Sequence, residues 1–180
     1  MTRRIIQGQQ DRLTGMQCVV QSDHAYIHDG IGFTAIIDTG SISAAYDIAF
    51  TTPSVASGKY IHWRPIGVTS SAEYVQIVTY EGDSFSGGTT VTPINRNRNH
   101  TATSTMQAFV KNATATPTGT QIDIFGVGST GNPTSRSGGA DGSLDEIVLK
   151  PNTNYVITLT PAGATVCTLK LFWYEEENGQ

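Results

Sequence analysis

The sequence has little charge, little cysteine and no long hydrophobic run. Of its 180 residues, 14% are charged, 38% are hydrophobic and two are cysteines. No apolar run approaches the roughly 20 residues that a membrane helix needs. Only two isoleucines follow Arg3 and Arg4, too few for the apolar core of a signal peptide. We therefore expect neither a membrane span nor a leader. The apolar content predicts a folded domain with a buried core and excludes a wholly disordered chain.

Concentrated positive charge is also missing. The net charge is −4 and the pI is about 5.4, and no stretch of sequence supplies a basic face. Proteins that hold nucleic acid usually carry such a face, because phosphate contacts dominate their affinity. We therefore expect no nucleic-acid partner.

The two cysteines, Cys18 and Cys167, are too few for a disulfide framework or a metal knuckle. Two interpretations stay open: two reduced residues buried in strands, or a single bridge between the two ends of the domain. Sequence alone does not decide between them.

What the sequence has in abundance is strand periodicity, with β-branched and aromatic residues alternating with polar ones. Such alternation puts one face of a strand in a core and the other in solvent. The clearest runs are Tyr60–Ile66, Tyr74–Tyr80, Ile122–Val127, Thr153–Thr160 and Thr165–Tyr174. Less regular candidates are Gln17–Gln21, Gly32–Asp38, Ala44–Phe50, Thr90–Ile94, Met106–Lys111 and Leu144–Leu149. The parity of the alternation predicts that Trp63, Phe125, Tyr155, Leu169 and Leu171 are largely buried.

Glycine-rich turn signals separate these runs, for example at Asp29-Gly30, Ser57-Gly58 and Ala162-Gly163. Helical periodicity is nearly absent; the best helical candidate, Ser41–Ala49, also fits a strand. Strands recurring about every ten residues indicate an all-β fold, an antiparallel sandwich or barrel. We assign residues 16–180 to this domain. Residues 1–15 lack the alternation and are predicted to form a short extended N-terminal arm.

Sequence motifs for a metal site, a catalytic site or a dinucleotide site are present only as weak matches. His24 and His28 have a zinc-binding spacing on a helix, but no third ligand is positioned, and a polar loop is the alternative. Asp38-Thr39-Gly40 resembles the aspartic-protease triplet in a single copy, and a turn explains it better. Gly126 to Gly131 matches a dinucleotide fingerprint as a string, but Asn132-Pro133 denies it the helix it requires. We expect no enzyme activity, no catalytic residue, no metal and no cofactor.

Two basic segments are candidates for a protein interface. The arm combines three arginines with apolar anchors. In the connection around Asn95–His100, two arginines would share one face if the segment is extended, although a solvated loop is the default. The candidate interface residues are Arg3, Arg4, Ile5, Ile6, Arg12, Leu13, Arg96 and Arg98. Between strands, the polar stretch Gly126–Gly142 is predicted to be a long loop of the kind that is usually functional or mobile.

The run of motifs from about residue 25 to residue 177 resembles small β-rich virion proteins of tailed bacteriophages. The segments that carry the resemblance are His28–Phe33, Gly58–Pro65, Tyr80–Thr89, Pro93–Arg98, Glu146–Tyr155 and Phe172–Glu176. The family in question comprises head proteins of the decoration or cement type. No catalytic or cofactor residue comes with this resemblance.

The resemblance implies a jelly-roll β-sandwich, assembled as a homotrimer on the surface of a capsid and bound to the major capsid protein. Such a protein would be made in the bacterial cytoplasm and end in the virion. The alternative is a tail or fibre component that acts as a receptor- or carbohydrate-binding module. Its support in the sequence is Trp63, Trp173 and several tyrosines, which could form a sugar platform, although their positions in alternating strands favour core packing.

Overall fold

The computed structural model of the protein describes residues 22–64, 67–128, 136–138 and 146–177. The fold is all-β, with two antiparallel sheets packed face to face. Within these described ranges, one short helix, α1, spans Ser22–His28, and one 3-10 turn spans Val55–Ser57. The predicted arm, Cys18 and most of the polar stretch after Gly128 lie outside the described residues.

In the described residues, sheet 1 has seven strands. They are β1 (Gly32–Ile42), β3 (Lys59–Trp63), β4 (Gly67–Ser70), β8 (Ile94–Asn95), β11 (Arg136–Gly138), β12 (Ile147–Val148) and β14 (Thr165–Glu177). The long strand β14 is central: β1 pairs along one side of it, and β3 and β4 share the other side.

Sheet 2 also has seven strands in the part of the chain that the structure describes. They are β2 (Tyr46–Thr51), β5 (Val75–Glu81), β6 (Phe85–Ser86), β7 (Thr89–Thr90), β9 (Gln107–Ala115), β10 (Thr120–Val127) and β13 (Asn154–Pro161). Strand β13 lies between β2 and β5, and β10 and β9 extend the sheet on either side.

The connectivity is that of a nested antiparallel ribbon. The outermost pair is β1 with β14, and inside it follow β2 with β13, β3 and β4 with β12 and β11, and β5 with β10. Alternate pairs of this ribbon fall in opposite sheets. Four nested pairs wound in this way make the double Greek key of a jelly roll. The sandwich prediction is therefore confirmed.

The core fills the space between the sheets. Along each strand, inward residues alternate with outward ones, as the period of 2 requires. Trp63, Tyr155, Leu169 and Leu171 are buried as predicted, whereas Phe125 is only partly buried because β10 is an edge strand. An aromatic cluster stabilises the centre: Phe50 stacks on Trp63 and Tyr155, with ring centroids 4.9 and 5.5 Å apart. Burying such rings contributes about 2–3 kcal/mol each.

Several local expectations were wrong. The segment around His24 and His28 is helical, not a loop, because the apolar residues Tyr26 and Ile27 pack on sheet 1. For Ser41–Ala49, which fits a helix or a strand, the strand alternative is confirmed, because the segment contains the end of β1 and most of β2. Asp38-Thr39-Gly40 is a β-bulge within β1, where Gly40 has φ +65° and its N–H donates to Asp38 Oδ1 at 2.9 Å. The polar stretch after Val127 contains β11, so it is not a continuous loop.

Candidate functional site

The most distinctive surface of the protein is the outer face of sheet 1, where α1 packs. Residues before and after Trp173 on β14 point away from the core, so Phe172 and Tyr174 lie on this face. Helix α1 ends in a Schellman motif: the N–H of Gly30 donates to Ile27 O, and the N–H of Ile31 donates to Tyr26 O, both at 3.1 Å. This termination holds the helix over one half of the face.

Aromatic rings stack between α1 and the sheet. The Tyr26 ring lies 4.1 Å from that of Tyr174, and the His62 ring lies 4.4 Å from the other side of Tyr174. Tyr174 is buried beneath this cover. We call these three residues, together with Glu146 and Glu176, the tyrosine cluster.

Glu146 is the hub of the tyrosine cluster. Its carboxylate accepts hydrogen bonds from Tyr174 Oη and His62 Nδ1, at 2.5 and 3.0 Å, and pairs with Arg64 Nε at 3.3 Å. His62 Nε2 lies 3.6 Å from Glu176 Oε2. Every polar group of the hub thus has a partner, and the arrangement ties α1, β3, β14 and the segment before β12 together.

The electrostatics of the cluster follow from this pairing. Burial alone would raise the pKa of Glu146, but hydrogen bonds from His62 and Tyr174 and the electrostatic interactions with His62 and Arg64 outweigh it, and the pKa is lowered. Burial and the carboxylate of Glu146 raise the pKa of Tyr174. The phenol therefore stays protonated and acts as a hydrogen-bond donor. These properties suit a structural clamp better than a nucleophile or a general base.

The other half of the same face is open. Ile36 is 55% exposed and Ile94 is 37% exposed, and Phe172 is only partly buried. The Arg96 guanidinium lies over the Phe172 ring, 5.2 Å from its centroid, and Lys170 is exposed beside them. We call these five residues the open patch.

A shallow groove joins the open patch to the tyrosine cluster. Between α1 and β14 it is lined by Tyr26, Gly32, Arg64, Arg96 and Phe172, among others. Arg64 lies over the Tyr174 ring, 5.7 Å from its centroid. Two guanidinium groups therefore flank the groove, each over an aromatic ring of β14.

Two further polar networks are centred on the carboxylates of Glu175 and Glu81. The buried Glu175 accepts hydrogen bonds from Trp173 Nε1, Ser104 Oγ and the Thr105 backbone and hydroxyl. Because its oxygens are fully engaged, this carboxylate stabilises the fold.

The second polar network is centred on Glu81. Lys150 Nζ lies 2.6 Å from Glu81 Oε1, and Tyr155 Oη donates to Glu81 Oε2 at 2.9 Å. The hydrogen bond from Lys150 is the main cause that lowers the pKa of Glu81. Burial, followed by the hydrogen bond to Glu81, raises that of Tyr155.

The predicted interface residues separate in the structure. Arg96 belongs to the open patch, whereas Arg98 is exposed in the turn closed by the hydrogen bond from His100 N to Asn97 O. The two arginines are therefore not on one extended segment. Arg3, Arg4, Ile5, Ile6, Arg12 and Leu13 lie outside the described residues.

The other residues singled out in the sequence give little support for a metal site or a sugar-binding site. His24 and His28 lie near each other on α1, with ring centroids 4.6 Å apart and ring planes tilted by 59°, and the described residues contain no group of three ligands that could hold a metal ion. Trp63 and Trp173 are buried, so they cannot form a sugar platform. Cys167 is a buried free thiol. In the described part of the chain, no helix is long and apolar enough to cross a membrane.

Sequence reasoning missed the tyrosine cluster and most of the open patch. Glu146 and His62 are far apart along the chain, and no local pattern links them. Ile36 did leave a signal: two adjacent isoleucines, Ile36 and Ile37, must point to opposite faces of a strand, so one of them faces outwards.

No protein-family model, curated protein or solved structure matches this chain. The geometry of the sheet 1 face is therefore the main structural basis for a functional proposal.

Proposed function

We propose that the protein is a structural component of a tailed-bacteriophage virion that decorates and stabilises the capsid. It assembles as a homotrimer, binds the major capsid protein and is made in the bacterial cytoplasm before joining the virion. The single observation that carries the proposal is the open patch, where Ile36, Ile94 and Phe172 expose apolar surface beside two cations on a rigid sheet. The sequence resemblance to virion proteins of tailed bacteriophages is the reason for proposing a phage capsid as the particle.

The physical logic is binding by shape and buried surface. A jelly roll with both sheets antiparallel presents broad, stiff faces, because its two longest strands, β1 and β14, are hydrogen-bonded to each other along nearly the whole of β1. Symmetric copies then multiply individually weak contacts into durable attachment. In this proposal the basic arm, with Arg3, Arg4 and Arg12, supplies a second contact to an acidic neighbour.

Copy number in purified virions tests the proposal. Mass spectrometry of particles of the phage that encodes the chain should find roughly hundreds of copies, as symmetric coverage of a capsid requires. A few or a few tens of copies would place the protein in the tail or fibre. Absence from the particle would refute a virion role.

The oligomeric state is a separate test. Analytical ultracentrifugation of the free protein, and a map of the particle, should both report trimers. A monomer in solution together with well-separated copies on the particle would refute the trimer.

The arm can be tested by deletion of residues 2–12. Attachment to capsids should weaken, and raising the salt concentration should weaken it in the same direction, because exposed charge pairs are screened. The melting temperature should hardly change. Full occupancy by the truncated protein at low salt would exclude a role for the arm.

A further inference from the structure

The open patch is organised in rows across sheet 1. In one row Ile94 pairs with Thr34, which pairs with Phe172 on its other side. In the next row Ile36 pairs with Lys170, which pairs with Gly67. Gly67 has no side chain, so at this position β4 places no side chain beside Lys170. The result is a continuous surface of two isoleucines and a phenylalanine with a cation on either side.

The charge of the open patch is opposite to that of the whole chain. No carboxylate of the described residues forms an ion pair with Arg96 or Lys170. The chain as a whole carries a net charge of −4. Two cations without an ion-pair partner among the described residues, beside exposed apolar side chains, are therefore complementary to a surface that is both apolar and acidic.

The groove beside the patch adds a place for one carboxylate. Arg96 and Arg64 line it together with Tyr26 and Gly32. Arg64 is already held at 3.3 Å by Glu146, which fixes its position. Guanidinium groups bind carboxylates with charge-assisted, often bidentate, hydrogen bonds.

We propose that the open patch binds an acidic, apolar segment of a partner protein, with one acidic side chain of that segment entering the groove against Arg96. The inference rests on the proposed function only for the identity of the partner as a capsid protein. Its chemistry follows from the patch itself.

Other occupants fit less well. The N-terminal segment of this chain carries Arg3, Arg4 and Arg12 against the single acid Asp11, so like charge repels it from the patch. A second copy offers exposed Val148 beside carboxylates, but those carboxylates, Glu146 and Glu176, already contact His62.

The binding test uses the full chain and a defined probe. The probe is an acetylated ten-residue peptide of alternating Glu and Leu, and the control peptide has Lys in place of Glu. In two-dimensional amide NMR spectra at low salt, the Glu/Leu peptide should shift residues 34–36, 94–96 and 170–172. The Lys/Leu peptide should leave them unmoved. No shift at these amides, or equal shifts with both peptides, would overturn the proposal.

Charge-reversal variants sharpen the binding test. Arg96→Glu should weaken peptide binding about tenfold or more, because it replaces an attractive contact by a repulsive one. Lys111→Glu makes the same change of net charge on sheet 2 and should bind like the wild type. Equal affinity of the two variants would refute the assignment. Loss of the free protein's oligomer in Arg96→Glu, measured by sedimentation, would identify a second copy as the occupant and would also refute it.

The two proposals can fail separately. If the peptide binds at the patch but purified virions lack the protein, the capsid function is wrong and the binding surface stands. If virions carry the protein in high copy number but the peptide does not bind, the function stands and the acidic-segment proposal is wrong.

Discussion

Phe172 and Tyr174 are successive outward residues of the same strand, yet they have opposite surroundings. Tyr174 is buried, stacked on both sides and hydrogen-bonded to Glu146. Phe172 is partly exposed, and the guanidinium of Arg96 lies over its ring. The difference arises because α1 reaches only one half of the sheet. One strand thus contributes a closed, structural half and an open half that is available for binding.

Truncating the two aromatic residues should separate the halves most clearly. Tyr174→Ala should cost about 3–5 kcal/mol of folding stability, because it removes a buried ring and one of the hydrogen-bond donors to Glu146. Phe172→Ala should cost about 1 kcal/mol, since its ring is partly solvated already. Chemical denaturation monitored by fluorescence measures both. Equal losses would mean that the two halves are not distinct.

The hub of the closed half offers a second comparison. Glu146→Ala should destabilise the protein by about 1–3 kcal/mol, because Tyr174, His62 and Arg64 lose their common acceptor. Glu177→Ala removes an exposed carboxylate that pairs with Lys59 at 3.1 Å, and it should have almost no effect, as is usual for surface pairs. A loss in Glu146→Ala no larger than that in Glu177→Ala would argue against the hub.

Acid should weaken the closed half. The pKa of Glu146 is lower in the folded protein than its ordinary value of 4.5. Its ionised form therefore stabilises the fold above about pH 4.5, and this contribution is lost as the pH falls through the folded pKa. Glu146→Gln should flatten the decrease in unfolding free energy below pH 4.5, and Glu81, whose pKa is also lowered, should account for part of the remaining slope. An unchanged acid profile in Glu146→Gln would contradict this.

The smallest effect on stability is expected in the open half. Ile36→Thr keeps the β-branched shape and changes a side chain that is 55% exposed, so the unfolding free energy should change by less than about 0.5 kcal/mol. Binding of the Glu/Leu peptide should nevertheless weaken, because apolar surface is lost. A large loss of stability would show that Ile36 is part of the fold and not of a free surface.

The sequence predicted the sheets better than it predicted what covers them. Alternation in Thr165–Tyr174 was sufficient to place Leu169 and Leu171 in the core, since period and burial are local properties of a strand. Helix α1 has seven residues and no amphipathic repeat long enough to detect. It is stabilised by packing of Tyr26 on Tyr174, a contact between residues far apart in sequence. His62 and Glu146 are also far apart in sequence, so their pairing could not be predicted from a local pattern.

Synthesis of the chain imposes an order on the nested ribbon. Ile37 of β1 pairs with Leu169 of β14, so the ribosome must add about 130 residues before the outermost pair can close. At the usual elongation rate, β1 waits roughly 7–26 s for its partner. Throughout that interval a strand rich in isoleucine presents unpaired backbone to any neighbouring nascent chain. We therefore expect truncations within β14 to aggregate during translation, because they leave β1, β3 and β4 without the strand that joins them.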